Sequence, residues 1–291
     1  MTPDFVERFT ELKTAVPQSL QLLFRDPLQL NTELLTQLLS RIAGLDDVRV
    51  ELIAVADHPV AGTFVSPTGP PANFIGLIEW GLQRVKLAGF DAPMPYGPVE
   101  VCVGPAMIAP PLKHDAKYHV AHVLLYDAGT EPDPLERYVA LGAVASVLAQ
   151  FDAIVVMHEE ARTAVQALDL IPEEGEDILH TLRTLPLPLL WGGFVKMDAG
   201  DPDRPWVRSF ANHRLGLPNL AYHLAGHEET ARIFQVFSGM LGYLRSINET
   251  FAEGETVDLG DGTQFRFRAP ADSEWFLESE GTLLVLEKVV E

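Results

Sequence analysis

The stretch "YHVAHVLLYDAGTEPDPLERYVALGAVASVLAQFDAIVVMHEEAR", residues 118–162, decides the fold. Its two arms, 118–126 and 153–158, are short apolar runs rich in Val, Ile and Leu, the composition of strands covered on both faces. Between them Asp133 stands where a helix cap belongs, Pro134 takes the first helical position and Glu136 lies in the first turn. The helix they open runs to about Gln150 and is apolar nearly all round, so it must lie between layers. The reading is a β-α-β unit over 118–158, its strands a neighbouring parallel pair.

Working outward, helical spacing appears at 4–16 (Phe5, Phe9, Leu12) and at 31–44 (Leu34, Leu35, Leu38, Leu39, Ile42), the latter capped by Asn31 or Thr32 and stopped at Gly44. Residues 48–55 read as a strand. The proline-glycine loop 66–73 then marks a boundary between a helical N-terminal segment with one strand, 1–70, and a main domain, 71–291. Further strands are expected at 82–90, 188–197, 219–224 and 282–290. Residues 227–247 form an amphipathic helix with the stripe Ile233, Phe237, Met240, Leu241 and Leu244. An Asp-Gly turn within 258–268, followed by alternating Phe265 and Phe267, predicts a hairpin. Strands outnumber helices without strict alternation, which gives an α+β fold with a mostly antiparallel or mixed sheet and packed helices.

Forty-one acids against 21 bases leave a net charge of −20, which repels a phosphate backbone and argues against nucleic-acid binding. The same acid excess suits a basic protein partner. No apolar run reaches the length of a membrane span, and "MTPDFVERF" is not a secretory leader. A single cysteine, Cys102, excludes an internal disulfide, and cytoplasm is the expected compartment.

Histidines dominate the candidate chemistry. "KHDAKYHVAH" (113–122) holds His114, His119 and His122, and His158 opens "HEEAR". On one strand, His119 and His122 would face opposite sides, and neither "HEEAR" nor "HEETA" has the second histidine of the zinc-protease helix. The expectation is therefore no metal, no cofactor and no complete catalytic motif; a P-loop, a nucleophile elbow and a dinucleotide fingerprint are all missing. A candidate pocket is His122, His158 and Glu159, with Trp191 beside Gly192 and Gly193.

From about residue 82 onward the chain resembles a family of bacterial proteins defined only as a domain of unknown function. The segments that carry the likeness are "AKYHVAHVLLYDAG", "DPLERYVALGAVASVLAQFDAIVVMHEEAR", "PLPLLWGGFVKM", "SFANHRLGLPNLAYHL" and "EGETVDLGDG". The family has no established activity or assigned catalytic residues, so the resemblance transfers none. It implies a bacterial, cytoplasmic protein. Some members lie near secretion or toxin–immunity genes, which implies a partner-binding role. The leading reading is thus a non-catalytic adaptor or immunity-like protein that binds a protein partner. Two others stay open: a small-molecule enzyme or binding protein using His122, His158, Glu159 and Trp191, and a structural subunit of a larger assembly.

Overall fold

The computed structural model describes residues 3–10, 17–55 and 72–289. The chain is α+β and forms two compact units, Met1–Glu159 with Ala164–Leu185, and Glu160–Thr163 with Pro186–Glu291.

The first unit opens with helix α1 (Pro3–Thr10), strand β1 (Ser19–Phe24), helix α2 (Thr32–Leu39) and strand β2 (Arg49–Ala54). There follow β3 (Phe74–Trp80), β4 (Gln83–Phe90), α3 (Tyr96–Val103), α4 (Pro110–Lys117), β5 (Ala121–Asp127), α5 (Pro134–Ala149), β6 (Ala153–His158), β7 (Thr163–Gln166) and α6 (Ile178–Thr184). The strands make a seven-stranded sheet in the order β2-β3-β4-β5-β1-β6-β7. Each pair from β2 to β6 in that order is antiparallel.

The central helix is as the sequence demands. Asp133 Oδ1 accepts from the Leu135 amide at 2.9 Å, and every residue from Tyr138 to Ala149 is buried. One side of α5 meets β1, β4, β5 and β6; α2 and α6 also pack against it. The opposite sheet face is covered by α3 and α4 around Leu23, Val155 and Met157, and by Phe5 and Phe9 of α1 against Ile75, Ala88 and Phe90. Arg8 fastens α1 to the sheet through Glu51 and Glu79, at 2.5 and 2.6 Å.

Two expectations need correction. The two arms of the β-α-β unit share a sheet but are not neighbours: β1 lies between them, with Leu23 opposite both His122 and Val155. The N-terminus is likewise not a helical appendage. α1 is short, residues 11–16 and most of the 66–73 loop lie outside the described residues, and the segment's main contribution is a strand at the heart of the sheet. The physical reason is that "SLQLLF" buries on both faces: Leu20, Leu22 and Leu23 are fully enclosed, and burial of each contributes roughly 1.5–3 kcal/mol.

The second unit contains β8 (Val195–Met197), β9 (Trp206–Arg208), β10 (Asn219–His223), α7 (Thr230–Ile247), β11 (Thr256–Asp258), β12 (Gln264–Arg268) and β13 (Leu283–Val289). Its six-stranded sheet runs β11-β12-β13-β10-β9-β8, with β10 and β13 parallel and the other pairs antiparallel. The stripe of α7 is buried as read, and Phe265 and Phe267 point inward from the hairpin. The strand expected over 188–197 shrinks to Val195–Met197 because Pro186 and Pro188 start a 3₁₀ turn and Gly193 takes φ +65°.

A chain beginning after residue 70 lacks β1 and leaves unpaired edges on both β5 and β6. It is expected to lose the cooperative thermal transition of the intact protein, followed by circular dichroism; a truncated chain that melts like the full one contradicts this placement of β1.

Candidate functional site

The histidine-rich stretch is divided among three elements. His114 lies exposed on α4, where its ring meets Tyr118 at 4.7 Å; His119 sits in the turn after α4; His122 is on β5. The premise that His119 and His122 share a strand fails, because Pro110 and Pro111 start a helix that carries the chain through Lys117. Both rings come to the same region, 6.4 Å apart and nearly perpendicular. His119 donates from Nδ1 to the Ala116 carbonyl and accepts the Met94 amide at Nε2, both at 2.7 Å. His122 donates from Nδ1 to the Ala92 carbonyl at 2.7 Å and stacks on Phe90 at 4.6 Å. These rings tie the 92–95 segment to the end of α4 and the start of β5.

Burial holds both imidazoles below the ordinary histidine value, against a smaller opposing effect of their backbone hydrogen bonds. The sign of the consequence is fixed. Above about pH 6.5 both rings are neutral in folded and unfolded chain alike, and stability is full. As pH falls below that value, the unfolded chain takes up protons the folded chain refuses, and stability is lost. Urea denaturation at pH 7, 6 and 5 is expected to show this loss in the wild type and a shallower one in His122→Gln, whose midpoint is already lower at pH 7. A variant with the wild-type pH slope contradicts the assignment.

His158 does not join His122. β1 separates their strands, and the register places His122 on the face of Leu23 and Val155, His158 on the face of Leu22 and Val156. His158 is fully buried, with Nε2 3.1 Å from the Tyr138 hydroxyl of α5, and its carbonyl lies 3.8 Å from Cys102 Sγ. Glu159 is exposed past the strand end. Its amide donates to Gln21 Oε1 at 3.3 Å, and its charge adds to the burial that pushes the Tyr126 hydroxyl up. Trp191 belongs to the second unit, where it is fully buried.

Two other places gather chemistry. In the first unit, a cleft of about 760 Å³ opens between α2, α5 and the 172–178 loop. Its lining is mixed: half-buried Leu38 and Ile42 supply the apolar part, with buried Val147 and Ile178 behind them, and Arg41, Ser146 and Gln150 are polar, while Glu173, Glu174, Glu176 and Asp177 surround it with exposed carboxylates. The loop is pre-formed. Gly175 at φ +84° allows the reversal, Glu176 accepts from Thr181 Oγ1 at 2.6 Å and from the Glu173 amide at 3.0 Å, and Asp177 caps α6. Those hydrogen bonds hold the Glu176 carboxyl below the usual carboxylate range.

In the second unit, Glu160, His213 and Glu280 converge from three distant segments. His213 Nε2 lies 3.1 Å from Glu160 Oε1 and 3.5 Å from Glu280 Oε2, and Arg214 Nε reaches Glu160 Oε1 at 2.7 Å. The loop that carries His213 is bent by left-handed Ala211 and Gly216, and a Cβ on Gly281 would stand 2.4 Å from His213 Cβ. Nearby, fully buried Arg208 donates to the Leu277 and Ser209 carbonyls and to Ser279 Oγ. The Phe210 ring has Arg208 at 4.0 Å and Arg162 at 4.4 Å. Burial, reinforced by Arg162, brings the Arg208 guanidinium down to about 10. Sequence reading missed this cluster. Its members are 53 and 67 residues apart, a separation in which no motif spacing operates.

No protein-family model, curated protein or solved structure matches the chain. No helix among the described residues is long and apolar enough to cross a membrane.

Proposed function

We propose that this is a non-catalytic binding protein whose first unit takes a basic, amphipathic segment of a protein partner in the cleft between α2, α5 and the 172–178 loop. The observation that carries the reading is the combination of a partly apolar lining, chiefly Leu38 and Ile42, with four surrounding carboxylates on a pre-formed loop. An apolar face of a helix or strand fills such a cleft, while lysines or arginines meet the carboxylates and speed encounter. The bulk charge of −20 favours the same class of partner and disfavours nucleic acid. The resemblance to the bacterial domain family adds the expectation of an adaptor or immunity-like role in the cytoplasm. The pocket of His122, His158, Glu159 and Trp191 receives no support as a single site, since the two histidines lie on opposite sheet faces.

The test uses fluorescent amphipathic peptides that share one apolar face and carry either lysine or glutamate on the other. The lysine peptides are expected to bind, with affinity falling as salt rises and at least tenfold in the Glu173→Lys/Glu174→Lys variant. Equal binding of both peptide classes, or no effect of the charge reversal, contradicts the proposal.

A further inference from the structure

We infer that Glu160, His213 and Glu280 form a binding site for a first-row divalent metal ion, of which Zn²⁺ is the probe of choice. The site is independent of the cleft in the first unit. One imidazole nitrogen and two carboxylate oxygens lie within 4.8 Å of one another, a donor set suited to Zn²⁺ or a neighbouring transition-metal dication.

The orientation of His213 is the separate observation that points to a ligand. Both of its ring nitrogens are shut off from solvent, yet neither makes a hydrogen bond. Glu160 Oε1 is only 3.1 Å from Nε2 yet makes no hydrogen bond with it, so that oxygen flanks the ring's N–H axis instead of lying on it, while Glu280 Oε2 stands at 3.5 Å, the limit of hydrogen-bond reach. That is the arrangement of donors around a shared ion. With metal–ligand distances of about 2.0–2.1 Å, neighbouring donors lie about 3.3–3.4 Å apart in a tetrahedral site and about 2.8–3.0 Å in an octahedral one. The two Nε2–oxygen separations, 3.1 and 3.5 Å, are of that size. An ion on the ring axis gives Nε2 the partner it lacks, leaves the imidazole proton on Nδ1, and needs both carboxylates ionised.

The surroundings fit a held carboxylate. Arg214 Nε donates to Glu160 Oε1 at 2.7 Å and orients it, the kind of outer contact that ligating carboxylates commonly have. The ion would join the 160–163 segment, the 209–216 loop and the turn before β13, so that occupancy also stabilises the fold of this unit.

Protein purified without a histidine tag and stripped with chelator is titrated with Zn²⁺ against a chromophoric competitor. One saturable site per chain is expected, together with a rise in melting temperature on Zn²⁺ addition. His213→Ala and Glu280→Gln should each weaken binding at least tenfold and abolish most of the thermal shift, whereas His227→Ala should leave both intact. Because the Glu280 side chain is 82% exposed, Glu280→Gln keeps the fold and decides the matter even if His213→Ala does not. No saturable site in the wild type, or one that Glu280→Gln retains in full, overturns the inference and leaves an ordinary ion-pair network.

Discussion

The insertion of β1 between β5 and β6 is the constraint on which the first unit depends. β5 and β6 run parallel to each other because each is antiparallel to β1, and α5 returns the chain across that gap. β1 satisfies the backbone edges of two strands at once and fills the sheet floor beneath α5 with Leu20 and Leu22. An all-round apolar helix then becomes tolerable, since α2 and α6 cover what the sheet does not. The cleft follows from the same packing. Its wall is the exposed side of the α2–α5 contact, and the acidic loop is the lead-in to α6.

Legibility in the sequence tracked how local the determining interaction is. Caps and periodicity disclosed α5, α7 and the start of α2, because Asp133, Asn31 and the Ile233–Leu244 stripe act within one or two turns, whereas α2 stops at Leu39 and not at Gly44. The hairpin at 258–268 was equally visible, its turn helped by Gly260 and Gly262 at positive φ. The place of β1 was not visible, because six residues carry no mark of which strands they will separate. The start of β5 was set three residues early: Tyr118 and His119 look strand-like, but they cap a helix that Pro110 and Pro111 announce.

The candidate sites show the same division. Acid excess was readable as a bulk quantity, and its concentration on one loop of one cleft was not. His122 and His158 looked like partners only while their strands were taken as adjacent; β1 lies between those strands, and the register sets the two rings on opposite faces. Glu160 stands in "HEEAR" with no local sign of a partner, and its meeting with His213 and Glu280 depends on tertiary structure. The two units pair charge in the same way, and the cleft is the exception. Arginines hold carboxylates in both, Arg8 on Glu51 and Glu79 in the first and Arg214 on Glu160 in the second, whereas Glu173 and Glu174 stand exposed at the cleft.

The central claim, that the cleft of the first unit is where a partner docks, is tested most directly by hydrogen exchange with and without a saturating lysine-bearing amphipathic peptide. Slowed exchange is expected in residues 38–43, 146–150 and 172–178, with the second unit unchanged. Protection centred on α3 and α4, on the second unit, or on no segment at all contradicts the account.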